Sequence, residues 1–215
     1  MTATVPDGPP LLVLADVMRR LRAECPWKAG QTHRSLARYL LEESHEVLEA
    51  LDTDDTVLLR EELGDLLLQI YFHAAIAAER GEFDVDDVAG DLTAKLVRRN
   101  PHVFGPAGSG GDDPSAPSVP SEAPDAASVN EAWEAVKARE KQRDRLDEGI
   151  PPTLPALLHA DKVLDRADRA GTPLAPAVPG SDDVGERLLA VVADARAAGV
   201  DPEQALRDAV RRRLP

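Results

Sequence analysis

The sequence predicts an all-α protein, and three features of its 215 residues support that fold class. Apolar residues make up 43% of the chain, enough for a buried core, whereas aromatic residues make up only 3%. The core must therefore consist mainly of alanine and aliphatic side chains. Alanine and leucine favour helices, and runs of β-branched residues, which favour strands, are few. We therefore expect a helical bundle, and the length of the chain suits one domain or one and a half.

Four helices are predicted in the first half of the chain from apolar spacing and capping residues. They span about 11–24, 32–51, 56–80 and 84–100. Thr32 or Ser35, Asp55 and Asp84 are the N-cap candidates for the last three. Pro26 and Gly81 are expected to end the first and third helices.

The second half begins with a predicted flexible linker at residues 106–127, rich in Gly, Pro, Ser, Ala and Asp. Further helices are predicted at about 128–146 and 153–170. The segment 182–215 should form two short helices broken at residues 199–202, with Pro202 at the first helical position.

Composition also limits the function. The net charge of −14 and the pI of about 4.7 argue against binding to nucleic acid, which requires a basic face. Most of this charge should serve solubility, and a smaller part could gather around a divalent cation. A single cysteine, Cys25, excludes an internal disulfide and fits the reducing cytoplasm. The apolar run from Leu11 to Ala15 is too short for a signal peptide or a membrane span.

Two acids lie within the most apolar predicted helix. Glu62 shares a helical stripe with Leu58, Gln69 and His73, and Asp65 borders that stripe. A helix that is apolar over most of its circumference is typical of a buried position. A carboxylate there is costly unless it is paired.

The preceding helix repeats the pattern. Glu43 borders its apolar stripe and Glu46 lies one step further round, whereas Glu42 and Glu49 face the other way. Each helix therefore offers an acid pair at i, i+3, and a short turn should pack the two helices antiparallel. Such clustered carboxylates must either take up protons or hold a hard cation such as Mg²⁺ or Mn²⁺. The pattern argues against a di-iron site, because Glu42-x-x-His45 has no second copy on another predicted helix.

The acid pairs resemble the ExxE…ExxD signature of the all-α nucleoside triphosphate pyrophosphatases. Flanking segments narrow the resemblance to the MazG family. They are Cys25-Pro26-Trp27, the run from Gln31 to Leu36, the run from Glu61 to Gln69 with Phe72-His73, the run from Lys95 to Gly105, the run from Trp133 to Lys141, and Leu154-Pro155-Ala156-Leu157. The resemblance covers about residues 11–170.

The resemblance implies hydrolysis of a nucleoside triphosphate between its α- and β-phosphates, giving a monophosphate and pyrophosphate. It implies that Glu43, Glu46, Glu62 and Asp65 bind Mg²⁺, with Mn²⁺ as a possible substitute.

It also implies that Lys95, Arg99 and Lys137 contact phosphate and that Trp133 stacks on the base. Without the resemblance, Lys95 and Arg99 could simply complement a helix C-terminus, and Trp133 could belong to the core. His73 and His102 are interpreted as structural rather than catalytic.

The domain organisation follows from the same resemblance. Residues 11–105 would form the catalytic helical domain, 106–127 the linker, and 128–170 helices that complete the substrate pocket. Residues 182–215 would be either a truncated, non-catalytic second copy or two generic amphipathic helices. Family members form dimers, so a homodimer is expected.

Two departures from the family pattern concern substrate preference. Lys28 stands where the family usually has an acid, and Asn100 where it usually has histidine. A narrower activity on a dUTP-like or damaged nucleotide therefore stays open. A non-catalytic nucleotide sensor or helical interaction module is the alternative from another class.

Overall fold

A computed structural model describes residues 7–105, 125–140 and 145–214 of the chain. All regular elements within these ranges are helices, which confirms the predicted fold class. They are α1 (Pro10–Glu24), α2 (Pro26–Ala29), α3 (His33–Asp52), α4 (Thr56–Ala78), α5 (Val85–Arg99), α6 (Pro101–Phe104), α7 (Ala126–Glu140), α8 (Ala156–Arg169), α9 (Val184–Ala197) and α10 (Pro202–Arg211). Most of the predicted linker, residues 106–124, lies outside the described residues, and α7 begins two residues earlier than expected.

The backbone forms two compact units, Met1–Val136 and Lys137–Pro215. In the first unit, α3 and α4 make the most extensive helix pair, and α1 packs against α4. Their buried core contains one methionine, two aromatic residues and two aliphatic residues. These are Met18, Leu36, Tyr71, Phe72 and Ile76.

The helix starts follow from capping chemistry. Thr32 and Ser35 form a capping box at the start of α3, in which each side chain accepts a hydrogen bond from the other residue's backbone N–H. Asp55 accepts hydrogen bonds from two backbone N–H groups of the first turn of α4. Asp84 and Asp87 form a second capping box at α5. The predicted N-caps are therefore confirmed.

A buried arginine fixes the connection between α1 and α3. Arg22 is 8% exposed and forms a bidentate ion pair with Glu79, at 2.6 Å from Nε to Oε1 and 2.5 Å from Nη2 to Oε2. It also donates hydrogen bonds to the backbone carbonyls of Lys28 and Gln31. The turn that carries α2 is thus bonded to the end of α4.

The outer side of α4 is less buried than its apolar composition predicts. Leu63 is 49% exposed and Ile70 is 42% exposed. Leu41 and Leu51 on α3 are also exposed, at 61% and 55%. Among the residues that the structure describes, α3 and α4 bury the faces that they turn toward each other and toward the core, and these four side chains stay exposed.

In the second unit, α8, α9 and α10 pack together around Ala167, Ala190 and Val192. Arg196 on α9 links three aspartates of α8, at 2.7 Å from Asp165, 3.2 Å from Asp168 and 3.5 Å from Asp161. Pro202 occupies the first turn of α10, as predicted.

The described helices include none with both the length and the apolar character needed to cross a bilayer.

Candidate active site

Three carboxylates from α3 and α4 converge in the first unit. One oxygen each from Glu43, Glu62 and Asp65 lies within 4.8 Å of the others, and all three side chains are half-buried. The convergence follows from the antiparallel pairing of α3 and α4, because Glu43 precedes the connecting turn and the other two acids follow it. The arrangement can hold a divalent cation.

Glu46, the fourth predicted acid, is exposed and lies outside this group of three. It nevertheless lies close enough to Glu43 to raise the pKa of the Glu43 carboxyl. Glu46 is therefore a neighbour of the acid group at the solvent side, and its role as a ligand stays a prediction. Glu42 and Glu49 are exposed, as expected from their positions on the helix.

The acids raise one another's affinity for protons. Burial raises the pKa of the Glu43 carboxyl, and the hydrogen bond with Glu46 and the charges of Asp65 and Glu62 raise it further. Burial also raises the pKa of Glu62, as do the charges of Glu46, Asp65 and Glu61. Among the described residues, every group that shifts the pKa of Glu43 or Glu62 raises it, and a bound cation would lower it.

Further polar residues lie between α3 and α4, beyond the three acids. Gln69 is 4% exposed, and its Nε2 lies 3.5 Å from Oε1 of Glu43. One turn further along α4, the ring of His73 meets the edge of the His33 ring, with a 2.7 Å contact between their Nδ1 atoms. The sequence predicts that Gln69 and His73 share a helical stripe with Glu62, but it does not predict their contacts with α3.

Two of the predicted phosphate ligands lie on α5. Lys95 and Arg99 are half-buried and one turn apart, so they share a helix face. The guanidinium carbon of Arg99 lies 5.3 Å from the centre of the Trp133 ring on α7. This cation–π contact places Trp133, which is predicted to stack on the base, next to Arg99, which is predicted to contact phosphate.

Lys137 lies one turn beyond Trp133 on α7 and belongs to the second unit. His102 lies on the short helix α6 and is exposed.

Residues 31–104 match the model of the MazG nucleotide pyrophosphohydrolase domain. An uncharacterised 26.1 kDa protein from Streptomyces cacaoi is 45% identical over 205 residues, covering 94% of this chain and 78% of that protein. The nucleoside triphosphate pyrophosphohydrolase/pyrophosphatase MazG of Thermotoga maritima is 36% identical over 224 residues, covering 93% of this chain and 80% of that protein. The nucleoside triphosphate pyrophosphohydrolase of Escherichia coli K12 is 38% identical over 195 residues, covering 87% of this chain and 68% of that protein.

The chain belongs to the MazG family.

The matched MazG domain contains six of the eight predicted site residues: the four acids, Lys95 and Arg99. Trp133 and Lys137 lie beyond it, in the part of the chain that only the comparisons with whole relatives cover. The convergence of Glu43, Glu62 and Asp65 thus lies inside the domain that defines the family.

Proposed function

We propose that this MazG protein hydrolyses nucleoside triphosphates between the α- and β-phosphates, releasing a nucleoside monophosphate and pyrophosphate. The observation that carries the proposal is the approach of Glu43, Glu62 and Asp65 to within 4.8 Å inside the family domain. House-cleaning of nucleotide pools in the cytoplasm is the cellular role that fits this activity.

Mg²⁺ is the proposed cofactor, with Mn²⁺ as a substitute. Both are hard cations that prefer carboxylate oxygens, and the three converging acids supply oxygen ligands only. Glu46, next to Glu43, is the proposed fourth ligand. When bound, the cation supplies Lewis-acid chemistry at a phosphoryl oxygen and makes water a better nucleophile.

Basic and aromatic side chains would hold the rest of the substrate. A triphosphate carries several negative charges that the acids alone would repel, so Lys95, Arg99 and Lys137 are proposed to bind its phosphates. Trp133 is proposed to stack on the base. Its contact with Arg99 supports that assignment, because the same guanidinium can hold the indole ring and a phosphate near each other.

A homodimer is proposed as the functional form. The exposed apolar side chains of α3 and α4 would be buried against a second copy, and patches of this kind are typical of protein interfaces. With a net charge of −14, the chain is proposed not to bind nucleic acid.

Pyrophosphate release tests the activity. The purified protein should release pyrophosphate from some members of a panel of canonical and modified nucleoside triphosphates in Mg²⁺, and none in a chelator. Glu62→Gln should stay folded and lose nearly all activity. Glu61→Gln is the matched control, because it removes the adjacent, exposed carboxylate.

Two outcomes would contradict the proposal. Nucleotide binding without pyrophosphate release would favour the alternative of a non-catalytic nucleotide sensor. Full activity in Glu62→Gln would remove that residue from the site.

A further inference from the structure

Gln69 is the most deeply buried polar side chain near the acid group. It is 4% exposed and lies on α4 one turn after Asp65, on the stripe that also carries Glu62. Leucine would fill such a position without any requirement for hydrogen bonds. A buried amide is tolerated only when its donor and acceptor are satisfied.

The two ends of the Gln69 amide have different surroundings. Its Nε2 donates toward Oε1 of Glu43, 3.5 Å away on α3. Its Oε1 is buried and has no hydrogen-bond partner among the described residues, and the same is true of Nε2 of His73. Residues 69 and 73 are spaced i, i+4, so both unpaired atoms lie on one face of α4.

His73 is itself held by α3. Its Nδ1 contacts Nδ1 of His33 at 2.7 Å, and the two rings are nearly parallel, with centres 5.0 Å apart. One nitrogen of His73 is therefore engaged across the helix pair, and its Nε2 is the buried atom without a partner among the described residues. Two polar contacts thus join α3 to α4, Glu43 with Gln69 and His33 with His73.

We propose that Gln69 is a positioning residue for Glu43. Its Nε2 donates to the Glu43 carboxylate and turns it toward Glu62 and Asp65, while its Oε1 and Nε2 of His73 share a buried water. Two unpaired polar atoms on one helix face are the setting in which buried waters satisfy hydrogen bonds. The role rests on the proposed function, because it orients a carboxylate for the divalent cation.

The orientation of the amide follows from charge. Exchanging the Gln69 oxygen and nitrogen would bring two acceptors, Oε1 of Gln69 and Oε1 of Glu43, together. Residues that hydrogen-bond a metal-binding side chain fix its orientation, and their loss typically weakens metal binding about 10- to 100-fold. Gln69 therefore contributes to cation affinity without being a ligand.

Direct cation binding tests this role without an activity assay. The full-length protein is stripped of metal, and its affinity for Mn²⁺ is measured by calorimetry and electron paramagnetic resonance in the absence of nucleotide. Gln69→Met preserves the size of the side chain but cannot donate to Glu43, and it should weaken Mn²⁺ binding about tenfold. Ile76→Val is the control for a structural effect, because Ile76 is 2% exposed on the same helix but distant in sequence from the acids. It should lower the melting temperature and leave Mn²⁺ affinity within about twofold.

A measurement on the wild type covers the case in which Gln69→Met does not fold. The side-chain amide resonances of Gln69 should shift when Mg²⁺ is added to the ¹⁵N-labelled protein.

Unchanged Mn²⁺ affinity in folded Gln69→Met, or a Gln69 amide that does not respond to Mg²⁺, would overturn the positioning role. Neither result would affect the proposed function, which fails instead if the wild type binds no divalent cation or releases no pyrophosphate.

Discussion

The rings of His33 and His73 lie within 2° of parallel and meet edge to edge, because their centres are 5.0 Å apart and their Nδ1 atoms only 2.7 Å apart, although the residues are 40 positions apart in the chain. The contact joins the first residue of α3 to the last third of α4. At least one of the two rings must be neutral to accept the hydrogen bond.

This pair should make stability depend on pH. Burial, and after it the charge of His33, holds the pKa of His73 below its usual value. The folded protein therefore resists protonation that the unfolded chain accepts. The resulting stability is present above about pH 6.5 and is lost as the pH falls below it. We expect the wild type to lose about 1 kcal/mol between pH 7.5 and 5.5 in urea unfolding, and His73→Phe to lose clearly less. His45→Asn, which removes an exposed histidine, should behave like the wild type.

A second prediction concerns the acid group without metal. Because the pKa of Glu43 is raised, its ionised form opposes folding, and this penalty appears as the pH rises through the folded pKa. In a chelator at neutral pH, Glu43→Gln should therefore raise the melting temperature by a few degrees. Added Mg²⁺ should stabilise the wild type but not the variant.

Glu42→Gln is the control for this measurement, because it removes the neighbouring exposed carboxylate. A Glu43→Gln variant that melts below the wild type in chelator would show that the carboxylates do not repel one another as described.

The contact between Arg99 and Trp133 leads to a third prediction. The protein has two tryptophans, so Trp27→Phe leaves Trp133 as the only indole reporter. In that background, made inactive by Glu62→Gln, binding of a nucleoside triphosphate should change the Trp133 emission. Arg99→Gln should weaken this binding about tenfold, the equivalent of ~1.4 kcal/mol. Arg98→Gln, at the adjacent exposed position, should change it little, and equal effects of the two variants would argue against a specific role for Arg99.

The fourth prediction tests the C-terminal segment. Asp183 caps α9 by accepting a hydrogen bond from the backbone N–H of Gly185 at 2.7 Å. Its carboxylate thus has a structural role, and the assignment of residues 182–215 to a non-catalytic second copy or to two generic amphipathic helices stays a prediction. Arg196→Met should lower stability by about 1–2 kcal/mol, because Asp161, Asp165 and Asp168 each lose an ion pair with it, while Mg²⁺-dependent turnover stays within about twofold.

Arg187→Met, at an exposed position of the same helix, is the control for Arg196→Met and should change neither property. A folded Arg196→Met protein without turnover would argue against the remnant.

Local chemistry explains which features could be predicted from the sequence. Thr32, Asp55 and Asp84 mark helix starts because a cap depends only on neighbouring residues. The acid group was predictable because carboxylates at apolar positions stand out, and one short turn fixes how their helices pair. The burial of Arg22 could also have been predicted, because it follows Met18 by four residues and therefore shares the buried face of α1.

Other features depend on distant contacts that no local pattern records. The contact of Arg99 with Trp133 joins helices separated by residues 100–125, and the exposure of Glu46 depends on the exact rotation of α3. The short helices α2 and α6 were missed because each has only four residues, too few for a periodic pattern. The exposed side of α4 differs from expectation because apolar composition does not show which face the rest of the chain covers.

The turn at residues 53–55, between α3 and α4, has a consequence for how the site can vary among related proteins. Glu43, Glu62 and Asp65 all belong to the hairpin that this turn closes, so their approach depends on the relative rotation of two helices. Each residue inserted into a helix rotates all later positions by about 100°, enough to turn both acids of α4 away from Glu43. Insertions and deletions should therefore be tolerated in the segments that follow the hairpin but not within its helices. Among related proteins, the length of the hairpin between these acids should stay constant.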